Sequence, residues 1–175
     1  YVEGPDHRVA NLTALPSPYL TGLFDKFFDD SSIPMMEITR GCPYSCTFCN
    51  DGSLLRSRIY RKSEDVSYEE LKYIGSRSQN SLQTQFVLTD LNFGMYKEDL
   101  ATARMLQSTI KEYGWPERLL VSLGKSHPER VLEVVNTINK GGKGVLRLQA
   151  SFQSTDDEVL KEIKRKNLSV DDLLG

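Results

Sequence analysis

Arg40-Gly41-Cys42-Pro43-Tyr44-Ser45-Cys46-Thr47-Phe48-Cys49-Asn50-Asp51 holds all three cysteines of this chain, spaced Cys-x3-Cys-x2-Cys. Thiolates this close in sequence converge naturally on one soft metal centre, and an odd number cannot pair off completely as disulfides. A four-iron cubane takes four ligands, so three from the protein leave one iron open, as catalytic metal sites leave a position open for a reactant. A structural zinc ion would need a fourth protein ligand, and the two histidines, His7 and His127, are both remote in sequence. Oxidised structural cysteines would suit a secreted chain. The expectation here is a cytoplasmic protein with its thiols free for metal.

The residues around this stretch have the composition of an ordinary globular domain, 39% hydrophobic and 26% charged over 175 residues. A net charge of −2 offers neither nucleic acid nor an anionic membrane a general binding surface. The longest apolar runs are too short to span a bilayer. The first residue is Tyr1 and the last lies just beyond Ser169-Val170-Asp171-Asp172, a capping-box pattern with nothing after it. A piece of a longer protein is the expectation.

After the cysteines the sequence alternates strand and helix. Met35-Met36-Glu37-Ile38-Thr39 reads as a short strand leading into the cysteine loop. Ser67-Tyr68-Glu69-Glu70 reads as a capping box opening a helix with Leu71 and Ile74 on one face. Phe86-Val87-Leu88-Thr89 is a second strand, ending at Asp90-Leu91-Asn92-Phe93-Gly94, and residues 97–113 follow as a helix stopped by Gly114-Trp115-Pro116. Leu119–Leu123 is a third strand, and Ser126-His127-Pro128-Glu129 opens a helix with proline in its first turn, ended by Gly141-Gly142. Residues 145–151 make a fourth strand, and Thr155-Asp156-Asp157-Glu158 caps a fourth helix. Four strands alternating with four helices define an α/β chain of parallel βα units. An open doubly wound sheet fits the pattern. A chemistry-bearing loop after the first strand favours part of a TIM-type barrel, whose sites lie at the strands' C-terminal ends. Four of about six units would leave the sheet open at its C-terminal edge, beside Val145, Leu146 and Leu148.

Residues 1–34 stand apart as a lead-in to a core at 35–175. Leu15-Pro16-Ser17-Pro18-Tyr19-Leu20 is proline-punctuated and extended. Residues 21–28 read as a short amphipathic helix whose aromatics pack on the outside or bottom of the core.

The Cys-x3-Cys-x2-Cys run, with an aromatic just before its last cysteine, resembles the radical S-adenosylmethionine (radical SAM) superfamily. The likeness covers about residues 15–175. It takes in Ser17-Pro18-Tyr19-Leu20-Thr21-Gly22-Leu23, Thr39-Arg40-Gly41-Cys42, the run 90–94, Ser122-Leu123-Gly124-Lys125, Ala150-Ser151-Phe152-Gln153-Ser154 and Arg165. Together these resemble the branch in which a cobalamin-binding domain precedes the radical core. The resemblance implies that Cys42, Cys46 and Cys49 ligate a [4Fe–4S] cluster and that S-adenosylmethionine chelates the fourth iron. An electron then cleaves the sulfonium to a 5′-deoxyadenosyl radical, delivered by a donor such as flavodoxin or ferredoxin. The substrate stays unassigned, and a cobalamin-dependent methyltransferase or a relative is the implied enzyme.

The resemblance also implies cofactor contacts. Phe48 stands where the backbone approaches adenine. Where most of the family has a Gly-Gly-Glu-like run for the methionine amino group, this chain has Thr89-Asp90-Leu91-Asn92, which makes Asp90 the candidate. As a plain residue Asp90 also reads as a turn former before a helix. Ser122, Ser151 and Gln153 could bond ribose or carboxylate, or serve as caps and turns. Arg165 could reach the methionine carboxylate as a fork donor, or lie on a solvated helix face with Lys161 and Lys164. No cobalamin-binding domain is present, and Asp6-His7 lacks the following glycine of a cobalamin-ligating histidine loop. Two other classes keep a place: an iron–sulfur electron-transfer module, which would want a fourth cysteine, and a zinc-stabilised binding domain.

Overall fold

A computed structural model describes residues 9, 11–53 and 56–165; the capping pattern at Ser169 and the histidine His7 lie outside them. Three parallel strands form the main sheet, in the order β1 (Met35–Met36), β4 (Gln85–Phe93), β5 (Arg118–Leu123). Met35 pairs with Val87, and Phe86 and Val87 pair with Leu119 and Leu120. The segment expected as one strand at 35–39 breaks after Met36. Thr39–Arg40 (β2) turns away and pairs antiparallel with Tyr60–Arg61 (β3), closing the base of the cysteine loop.

Helix α1 (Glu64–Ser78) crosses from β1 to β4, α2 (Asp99–Tyr113) from β4 to β5, and α3 (Pro128–Asn139) follows β5. α2 packs on both α1 and α3. Along β4 the side chains alternate: Phe86, Leu88, Asp90 and Asn92 are buried, while Val87, Thr89 and Leu91 are not. The buried set joins Leu71 and Ile74 of α1, Ala103 and Leu106 of α2 and Val134 and Ile138 of α3 in one core. Among the described residues the helices therefore cover one face of the sheet and leave the other open, where a doubly wound sheet would be covered on both.

The expected capping boxes are placed differently. α1 starts at Glu64, with Ser63 at its cap position and two acidic residues in the first turn, where the helix dipole favours them. Ser67 lies inside α1, its hydroxyl donating to the Ser63 carbonyl at 2.8 Å. Pro128 is the first residue of α3 as expected, but Ser126 does not cap it, because its hydroxyl is bonded to Tyr44. The short α4 (Asp157–Glu162) is capped by Asp156, whose carboxylate accepts from the amides of Glu158 and Val159.

The fourth strand at 145–151 does not form. The Leu119 amide donates to the Val145 carbonyl at 2.8 Å, but both peptide groups of Leu146 are taken by the Asn139 side chain, at 2.9 and 3.0 Å. A side-chain amide thus occupies the place of a ladder partner. Val145 and Leu146 still bury their side chains, whereas Leu148 is exposed. At the other edge the lead-in residues matter: the Tyr19 hydroxyl accepts from the Met35 amide and donates to its carbonyl, covering the edge of β1. The expected helix at 21–28 is a run of turns with one 3-10 turn, Asp25–Phe27. Its Phe24 and Phe28 pack on the core while Leu23 and Phe27 stay exposed.

Candidate metal centre

Gly41 opens the cysteine loop at φ +107°, and a Cβ there would stand 2.3 Å from the Arg58 carbonyl oxygen, so no other residue fits. Gly52 closes it, with 2.5 Å between a would-be Cβ and the Cys46 carbonyl oxygen. Between them the backbone turns on itself: Cys49 donates to the Cys46 carbonyl at 3.1 Å and Gly52 to the Cys49 carbonyl at 3.0 Å. The Cys42 amide donates to the Arg56 carbonyl at 2.8 Å, tying the two ends together. Two buried carboxylates hold the outgoing strand: Asp99 bonds Arg61, and Glu70 bonds Lys62 at 2.6 Å.

The loop sits over the C-terminal ends of the strands. The Asn92 amide, at the end of β4, donates to the Cys42 sulfur at 3.3 Å. The Tyr44 hydroxyl shares a 2.8 Å hydrogen bond with Ser126, just past β5, and lies 3.2 Å from the Met95 sulfur. The Thr47 amide donates to the Ile163 carbonyl at 3.1 Å, so the chain after α4 closes against the middle of the loop. Cys42 and Cys46 are buried, Cys49 is exposed, and none is in a disulfide.

Among the described residues no group of three His, Cys, Asp or Glu side chains is arranged to hold one metal ion. A cubane takes one thiolate per iron and does not ask its ligands to meet at a point, as a zinc ion does. The donor set suits the cluster: three unbridged thiols, one of which already receives an amide donor. The Tyr96 hydroxyl, buried without a hydrogen-bond partner among the described residues, adds a polar group to the same wall. Burial pushes its ionisation up, and its neighbours Cys42 and Asp99 add to the effect.

The other expected site residues are distributed as follows. Asp90 is 2% exposed, and its two carboxylate oxygens accept from the amides of Ile38 and Thr39, each at 2.9 Å. Burial raises its ionisation from 3.8 to about 6, against the lowering effect of those two hydrogen bonds. Ser122 is on the opposite, uncovered face, in an open cavity of about 360 Å3 shared with Val87, Thr89, Leu120 and Gln149. Ser151 and Gln153 lie in exposed coil, and Phe48 is half-exposed. Arg165 is buried rather than on a solvated helix face, and its guanidinium donates to the Ser151 carbonyl at 2.8 Å. The structure thus brings Cys42 to the end of β4 and Arg165 to Ser151, and puts Asp90 and Ser122 on different faces.

A second cavity, of about 520 Å3, opens beside the loop between Glu37, Arg40, Asp51, Arg56, Thr89 and Leu91. Its charged walls are two ion pairs, Arg40–Glu37 at 2.5 Å and Arg56–Asp51 at 2.6 Å. The sequence assigns no role to Asn92, Tyr96 or Lys125. The strand's parity held the signal for Asn92, two residues beyond Asp90 on the buried face. Lys125 ends the run 122–125 that carries the resemblance, but its place beside Asn92 depends on where β5 ends.

The cysteine loop, with three unbridged thiols, thus sits over the C-terminal ends of parallel strands. Residues 36–174 match the radical SAM superfamily, and the chain belongs to it. The chain is 31% identical over 97% of its length to the cobalamin-dependent radical SAM methyltransferase TokK of Streptomyces tokunonensis. It is 32% identical over 95% of its length to the 2-(S-pantetheinyl)-carbapenam-3-carboxylate methyltransferase of Streptantibioticus cattleyicolor. A more distant relative is the threonylcarbamoyladenosine tRNA methylthiotransferase MtaB of Thermotoga maritima, 27% identical over 79% of the chain. The chain spans about a quarter of the length of the first two, 25% of each, and 31% of the third. The family implies a [4Fe–4S] cluster and S-adenosylmethionine as cofactors. Among the described residues no helix is long and apolar enough to cross a membrane.

Proposed function

We propose that residues 35–175 are the cluster- and S-adenosylmethionine-binding part of a radical SAM enzyme, a cobalamin-dependent methyltransferase, with residues 1–34 leading into it. The cofactors, when bound, supply a 5′-deoxyadenosyl radical by reductive cleavage of S-adenosylmethionine, with the electron coming from a donor such as flavodoxin or ferredoxin. Cobalamin and methyl transfer rest on the likeness to the Streptomyces relative and not on a residue of this chain. The single observation that carries the reading is the cysteine loop, with three unbridged thiols pinned to the end of β4 by Asn92 and to the residues after β5 by Tyr44.

Each part of the chain then has a task. Cys42, Cys46 and Cys49 hold the cluster. Asp90 fixes the backbone entering the loop through Ile38 and Thr39. The cavity beside the loop pairs cations with anions, Arg40 with Glu37 and Arg56 with Asp51, and so suits the zwitterionic methionine end of the cofactor. Phe48 and Ser122 supply an exposed ring and an exposed hydroxyl for the nucleoside end, with Ser151 and Gln153 on the coil that Arg165 tethers. The uncovered face, carrying Val87, Thr89, Leu120 and Ser122, becomes the lumen of a TIM-type barrel of which β1, β4 and β5 are the first strands.

Anaerobic reconstitution tests this. About four irons and four sulfides per chain are expected, with an electron paramagnetic resonance signal that changes on adding S-adenosylmethionine. Cys46→Ala should lose the cluster. A colourless protein holding one tetrahedral zinc ion would overturn the reading.

A further inference from the structure

Asn92 is 3% exposed and Cys42 is 7% exposed, so the hydrogen bond between them lies inside the protein. Its direction is set by what stands behind it. The Lys125 ammonium lies 3.4 Å from Asn92 Oδ1, and an ammonium only donates, so the amide oxygen faces the lysine and the NH2 faces the sulfur. The separation of Asn92 and Lys125 is fixed by the strands that end there. The Gly124 amide donates to the Phe93 carbonyl at 2.8 Å, and a Cβ on Gly124 would press within 3.0 Å of Met95. A half-buried cation, an amide and a cysteine sulfur thus follow one another in a chain whose inner link, Asn92 to Cys42, is buried, where a hydrogen bond is stronger than in water.

From this geometry we infer that Asn92, polarised by Lys125, tunes the ease with which the cluster held by Cys42 accepts its electron. The inference rests on the cluster reading above. Reduction adds negative charge to the iron and sulfur atoms. A donor dipole aimed at one ligand sulfur, with a cation behind it, stabilises the reduced form more than the oxidised one, and hydrogen bonds to the sulfurs are among the factors that set these potentials. The pair is therefore a device for raising the potential at the Cys42 corner.

The test is a potentiometric titration of the reconstituted chain, reducing with dithionite in the presence of mediators and reading the reduced cluster by electron paramagnetic resonance. Asn92→Leu keeps the size and removes the donor. It should make reduction about tenfold less favourable, a shift of about 59 mV to more negative potential for one electron. Asn92→Asp, which puts an acceptor against the sulfur, should shift it further. Lys125→Gln should move the potential the same way as Asn92→Leu, while Lys125→Arg, which keeps the charge, should leave it near the wild-type value. Should the Asn92 variants fail to load four irons, the Lys125 pair decides alone. Fully loaded Asn92→Leu and Lys125→Gln proteins with the wild-type potential would overturn this inference and leave the cluster reading standing. A wild-type chain that takes up no four-iron cluster would overturn both.

Discussion

Replacing Asp90 by asparagine separates a buried charge from the hydrogen bonds it makes. The carboxyl holds its proton to about pH 6 in the folded chain and only to about 3.8 when exposed, because burial penalises the anion more than the Ile38 and Thr39 amides favour it. In the window between, the native state binds more protons than the unfolded state. Stability from this group is therefore full below about pH 4 and is lost as pH rises through 6. The whole loss is about 3 kcal/mol, since each tenfold change in proton affinity is worth about 1.4 kcal/mol. About 1 kcal/mol of that falls between pH 5 and 7.5. An asparagine cannot ionise, so it is spared this loss. It offers one acceptor to two buried amides, which leaves one unsatisfied at about 1–3 kcal/mol at every pH. Asp90→Asn should therefore be clearly less stable than wild type at pH 5 and draw about 1 kcal/mol closer by pH 7.5. Urea unfolding followed by the fluorescence of Trp115, the sole tryptophan and buried, measures both proteins on one scale. A stability difference that stays constant from pH 5 to 7.5 would refute the reasoning, since it would mean that Asp90 ionises as it does in water.

Other outcomes follow from the same contacts. Gly41→Ala should destabilise the chain by about 1–3 kcal/mol from left-handed backbone strain, and more from the clash with the Arg58 carbonyl, and it should reduce iron uptake on reconstitution. Thermal unfolding and iron analysis check both, and a variant as stable and as iron-loaded as wild type would count against the loop geometry. Phe86→Ala removes a fully buried ring that lies 5.3 Å from that of Trp115 and should lower stability by about 3–5 kcal/mol in denaturant titration. Arg165→Gln should loosen the coil that carries Ser151 and Gln153, seen as faster proteolysis within residues 147–156 with the rest of the chain intact.

By itself the sequence determined the family and the set of sulfur donors. Three cysteines within eight residues can meet one metal centre whatever surrounds them, and Gly41 and Gly52 bracket them where no side chain fits. It also determined the βα rhythm, because Phe86, Leu88, Leu106 and Ile138 follow the periods of strand and helix that bury one face. What it left open depended on partners distant along the chain. Whether 145–151 becomes a strand turned on Asn139, whose side chain takes the peptide groups of Leu146. Ser126 could not be told from a helix cap until Tyr44, 82 residues away, claimed its hydroxyl. Asp90 was legible as a carboxylate at a strand's end, but which face it occupies followed from the pleat, and its two acceptors went to amides 51 and 52 residues earlier. The Cys42–Asn92–Lys125 line exists only because β4 and β5 end side by side. Local pattern selects elements through short-range sterics and burial. Hydrogen-bond partners are chosen by the packing of those elements, which brings together groups that no nearby sequence connects.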